Sequence, residues 1–141
     1  MVDEEPTWQP ISALPMIAQA IDGYIPASDD LFASLSEASS KPHVMDDATL
    51  DRVDAVYRDQ RDDMWLYDEQ LRRWSEGTLN ADQASEIARL QIALGEVKAR
   101  IADILAISAE LRAATIDRIM EKSDLELGLE ALLGGRLSDR P

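Results

Sequence analysis

The chain has 141 residues, with 28 acidic against 14 basic side chains, a formal charge of -14 and one histidine. That length suits one compact domain. The absence of cysteine excludes a disulfide framework, a zinc knuckle and a thiol nucleophile. The negative charge excludes direct nucleic-acid binding, which relies on basic residues displacing counterions from phosphates. Hydrophobic residues at 45% suffice for a core. No apolar run approaches the ~20 residues of a membrane span, and Asp3, Glu4 and Glu5 stand where an export signal would carry bases. The expectation is a cytoplasmic protein with no membrane partner.

Proline divides the chain. Pro6, Pro10, Pro15, Pro26 and Pro42 crowd the beginning, and none follows until Pro141. Because proline costs a helix interior about 3 kcal/mol, residues 1–43 are expected as a broken segment and 44–135 as a region of long helices. A flexible tail is expected at 136–141. In the first segment, Ile11, Leu14, Ile17, Ala18 and Ile21 predict a short helix over about 13–22, capped by Ser12 and stopped at Gly23. Ser28 is placed to cap a second short helix carrying Leu31, Phe32 and Leu35.

From Asp46 onward the pattern is stronger. Leu50, Val53, Tyr57, Gln60, Met64, Tyr67, Leu71 and Trp74 keep an unbroken three-four spacing. The spacing predicts a helix over 47–75 with Asp46 as N-cap, a Met45–Leu50 staple and Gly77 as the stop. Asn80 and Gln83 have capping-box spacing and start a second stripe through Ile87, Leu90, Leu94, Val97, Ile101 and Ile104. The short connection makes the two helices an antiparallel hairpin with a coiled-coil-like seam. Counting outward from the turn pairs Leu71 with Ile87, Met64 with Leu94, Tyr57 with Ile101 and Val53 with Ile104. The second helix outruns the first by about ten residues. Ser123 and Glu126 then offer another cap, for a short C-terminal helix carrying Leu125, Leu129, Leu132 and Leu133 before Gly134 and Gly135, either a separate kinked helix or a continuation of the second long one. The fold class is all-α, a helical bundle completed by oligomerisation.

Few residues suggest chemistry. Asp59, Asp62 and Asp63 share one helical face and could hold a hydrated Mg²⁺, as in a small all-α nucleotide phosphohydrolase. Arg58 and Arg61 lie among them, however, and no acidic pair stands opposite, so the cluster reads as a solvated face. His43 follows Pro42 with no partner at metal-motif spacing, and it is assigned no role. Glycine-rich phosphate loops and nucleophile elbows are absent from the sequence. No cofactor is expected. The arginines read as i,i+4 surface pairs: Arg58 with Asp54 and Asp62, Arg72 with Asp68, Arg73 with Glu69, and Arg100 with Glu96.

What the hairpin cannot bury is more informative. Trp65 and Leu66 fall off the seam, and Leu111, Ile116, Ile119 and Met120 lie on the overhang. These six form the expected interaction face. The face is covered either by the N-terminal segment or by another chain. Gly95, inside a helix, marks either a close approach by a further helix or tolerated drift in a long one. The sequence therefore predicts a non-enzymatic interaction module. It would act as an acidic scaffold, a homodimer, or a regulatory, antitoxin-like partner of a basic protein. Its rival is the Mg²⁺ enzyme.

Overall fold

The computed structural model describes residues 6–41 and 45–138, with the last helix's side chains described through residue 114 and again at 125, 128, 129 and 132. The protein is all-α. An extended lead and a 3-10 turn at Ile11–Ala13 precede α1 (Leu14–Ser40), α2 (Asp47–Ser75) and α3 (Ala81–Ser138). His43 lies outside the described residues.

The two short helices expected at the start are one, α1. Leu14, Ile17, Ile21, Tyr24, Ser28, Leu31, Leu35 and Ala38 keep a three-four spacing straight through Gly23 and Pro26. Of these, Leu14, Ile21, Ser28, Leu35 and Ala38 are buried. Pro26 forfeits its own bond to the Asp22 carbonyl, but it stands on the exposed side, and burial on both sides of it keeps the helix intact. Ser28 is thus a small buried residue rather than a cap. Ser12 lies within the 3-10 turn, and Ala13 holds the N-cap without a side-chain bond.

Both ends of α2 fall where the sequence places them. Asp46 Oδ1 accepts the Thr49 N–H at 2.8 Å, which holds the Asp46 carboxyl below the usual carboxylate range. Gly77 lies in the turn, its N–H bonded back to the Trp74 carbonyl at 3.1 Å, and it has no positive φ. The capping box of α3 is reciprocal: Gln83 N–H donates to Asn80 Oδ1 at 2.8 Å, and Asn80 N–H donates to Gln83 Oε1 at 3.1 Å.

α3 does not stop where expected. It runs unbroken for 58 residues, or ~87 Å at 1.5 Å per residue, so the short C-terminal helix is a continuation of α3. Capping-box spacing at Ser123 and Glu126 gives an end only where the backbone leaves helical geometry. Gly134 and Gly135 cost roughly 1 kcal/mol each without terminating the helix.

α3 is the spine of the bundle, and both other helices pack on it. Arg89 grips Asp22 with two bonds at 3.0 and 2.9 Å, and Arg100 reaches Asp29 at 2.9 Å. On the other flank Lys98 pairs with Asp68, and Arg112 Nη2 lies 2.6 Å from Asp51 as a charge contact without hydrogen-bond alignment. The pairs to α1 rise together in sequence and the pairs to α2 run in reverse, so α2 runs opposite to its two neighbours. The α2 pairs fall further along α3 than counting from the turn places them: the count sets Asp68 opposite Leu90, and Asp68 pairs with Lys98 instead. The core between them is built from Leu50, Tyr57, Met64, Leu71 and Trp74 of α2, and Ile87, Leu90, Leu94, Val97, Ile101, Ile104 and Leu111 of α3.

Several arginines depart from the local pairs. Arg58 bonds Asp54 at 2.9 Å and Arg73 bonds Glu69 at 3.1 Å, as expected. Arg72 chooses Glu69 and Glu76 over Asp68, and Arg100 chooses Asp29 on another helix and Asp103 over Glu96. Sequence spacing cannot see an acid brought in by tertiary packing.

Candidate interaction surfaces

The first surface is the projecting half of α3. In α3, Ile87, Leu90, Leu94, Val97, Ile101, Ile104, Ser108 and Leu111 form one heptad stripe, all of it buried. The same repeat continues through Thr115, Arg118 and Lys122 to Leu125, Leu129 and Leu132. These three leucines are 75%, 58% and 67% exposed. The last described ion pair to α2 is at Arg112, and the 26 residues from there to Ser138 extend ~39 Å. Leu111 sits inside the bundle. Ile116, Ile119 and Met120 have side chains outside the described residues.

The second surface is the back of α3. Ala81, Ala84, Ala88, Ile92, Gly95, Ala99, Ala102, Ala106, Ala109 and Ala113 follow their own three-four spacing, and every one is exposed. A Cβ on Gly95 would meet nothing within 4 Å, so among the described residues no helix makes the close approach expected there. The signal for this face in the sequence is alanine recurring at heptad spacing, a pattern that helix propensity alone also produces.

The third surface surrounds Trp65, which is 53% exposed. The chain's own lead lies beside it. Trp8 meets the Trp65 ring edge to face, with centroids 6.3 Å apart, and the Arg73 guanidinium sits 4.4 Å over the Trp8 ring. The backbone of Gln9 is held from both sides: its N–H donates to Gln70 Oε1 at 2.7 Å, and its carbonyl accepts from Gln70 Nε2 at 3.3 Å and Trp74 Nε1 at 2.9 Å. Gln70 is 5% exposed. Leu66 is half-buried next to this lead, in an open apolar cleft of about 380 Å³ shared with Met16, Ile17 and Tyr67. Nothing in the sequence pairs Gln9 with Gln70, 61 residues apart.

The shifted groups here owe their shifts to ion pairs, hydrogen bonds and burial. The Arg72 hydrogen bond holds Glu69 down to about 2. Arg89 likewise holds Asp22 below the usual carboxylate range. Burial, with a hydroxyl contact of 3.5 Å to Tyr24, pushes Tyr67 up to about 12. Asp59, Asp62 and Asp63 are all exposed, and Asp62 faces Arg61 at 3.2 Å. Among the described residues, no group of three or more histidines and acids is gathered to hold a metal ion. Among them also, no helix is long and apolar enough to cross a membrane. Comparison with protein families, with curated proteins and with solved structures returns no match to this chain.

Proposed function

We propose that this protein is a non-enzymatic protein–protein interaction module, an acidic helical scaffold that pairs with a second copy of itself through the projecting half of α3. The observation that carries the reading is the exposed row Leu125, Leu129 and Leu132 in phase with the buried stripe of the same helix. A row in that phase is what a helix presents to another helix, as α3 does to α2 in its first half. Burying leucines already about two-thirds exposed gives roughly 1 to 2 kcal/mol each. Three from each of two chains then give roughly 6 to 12 kcal/mol, within the range of the estimated ~4 to 15 kcal/mol cost of association. The exposed alanine face adds a second contact surface for a larger assembly. A closed two-fold pair is the commonest arrangement for such faces. The α2–α3 pair, a hairpin with a coiled-coil-like seam, is the rigid part that aims the projection. Its acidic exterior suits a basic protein as the further partner.

Light scattering tests this. Two chains of charge -14 repel each other, so dimer formation should strengthen as salt rises and screening shortens. A single-chain mass at micromolar concentration in both low and high salt contradicts the reading.

A further inference from the structure

The lead is bound to α2 as a peptide is bound to a receptor. Residues 6–10 belong to no helix; Pro10 is extended, with φ -70 and ψ 160. Gln9 contributes mainly its backbone, an N–H and a carbonyl, which nearly any residue could supply. The side-chain amide of Gln70 imitates the edge of a strand, giving and taking one bond. Trp8 supplies the selective contact, a ring held between Trp65 and Arg73. Backbone bonds for affinity and a side-chain pocket for choice are the division of labour in extended-peptide recognition, and a proline in this conformation is pre-organised for it. A cleft of about 380 Å³ opens beside Thr7 and Met16.

We propose that the α2 surface formed by Trp65, Gln70, Arg73 and Trp74 is a binding site for extended segments of the pattern aromatic–any residue–proline. The chain fills it with its own Trp8 and Gln9, the extended Pro10 standing exposed just beyond them, and a partner protein carrying such a segment binds by displacing them. A tethered segment competes at an effective concentration in the millimolar range, so the resident lead sets a threshold that only a better-fitting segment passes. A larger side chain at the Thr7 position, entering the open cleft, would supply that advantage. This site is separate from the leucine row of α3 and stands or falls without it.

The test uses the full chain and a fluorescent peptide copying residues 6–12, followed by anisotropy. Trp8→Ala weakens the resident lead while leaving the site intact, so the peptide should bind this variant about tenfold or more tightly than it binds the wild-type chain, given the ring contacts removed. Gln70→Ala in the Trp8→Ala background should abolish binding. If Gln70→Ala lowers the melting temperature, Trp65→Ala is the second variant. It removes only an exposed ring, and it should weaken binding several-fold with melting unchanged. A peptide with alanine in place of the tryptophan should not bind. Equal binding to wild-type and Trp8→Ala chains, no binding to either at millimolar peptide, or binding indifferent to both Gln70 and Trp65 overturns the proposal. Peptide that converts a dimer to single chains would assign the site to a second copy's lead and overturn the partner named here.

Discussion

The two halves of α3 carry one repeat and meet opposite fates. From Ile87 to Leu111 the stripe is buried against α1 and α2, while Leu125, Leu129 and Leu132 continue it in the same phase and stand exposed. A heptad therefore specifies which face of a helix seeks cover, and only chain length decides how much of that cover is supplied internally. α1 has 27 residues and α2 has 29, against 58 in α3. Beyond the reach of the shorter helices, the described leucines of α3 at 125, 129 and 132 stand exposed.

Truncation is the sharpest way to separate the halves. Leu94→Ala and Leu71→Ala should each lose about 2 to 5 kcal/mol of stability as cavities in a packed core. Leu129→Ala should lose under about 1 kcal/mol in dilute, dissociated chain, because an exposed side chain leaves no cavity behind it. Urea unfolding of the three variants reads this directly. Comparable losses at all three positions would mean that the projecting half is covered within one chain.

Acid should loosen the α1–α3 contact. The folded-state pKa of Asp22 is lowered from 3.8 by the Arg89 hydrogen bond, so its stabilisation is present above about pH 3.8 and is lost as pH falls through the depressed value. Asp22→Asn should therefore lower the melting temperature at pH 7 and converge on wild type in acid, once pH has fallen below the depressed value. Alkali acts with the opposite sign. Tyr67 is raised from 10.0 to about 12, chiefly by burial, so its contribution is full below pH 10 and disappears as pH rises toward 12. Tyr67→Phe should flatten that alkaline loss, measured by thermal melts between pH 9 and 12.

The smallest expected change is a gain. Gln60 occupies a seam position of α2, and its Oε1 is buried with no hydrogen-bond partner among the described residues. Gln60→Leu fills the same layer without a stranded acceptor and should stabilise the bundle by about 1 kcal/mol, seen as a higher urea midpoint at unchanged slope.

Much of this fold was legible because its signals are local. The α2 boundaries, the Asp46 cap and the Asn80–Gln83 box rest on contacts within a single turn. α1 is continuous where Gly23 and Pro26, taken one at a time, predict a break. The phase of Leu14, Ile21, Ser28 and Leu35 crosses them without a slip, and phase continuity is the better guide when tertiary burial supports the helix. The end of α3 was misplaced for the related reason that glycine lowers helix stability without forbidding it. The expected face was drawn partly from Leu111, which the structure buries, and it missed Leu125, Leu129 and Leu132 because they were assigned to a separate helix. The Trp8–Gln9 clasp was illegible: it joins residues 61 or more apart through a side-chain amide and backbone groups, and no periodicity encodes such a contact.

Sedimentation equilibrium of the wild-type chain beside a Leu125→Asp/Leu129→Asp/Leu132→Asp variant tests the central claim most directly. The pairing reading predicts twice the 15.7 kDa chain mass for wild type at micromolar concentration and moderate salt. It predicts a single-chain mass for the variant, with the helical content of the bundle retained. Wild type at 15.7 kDa under all salt conditions, or a dimer that survives three aspartates, would contradict it.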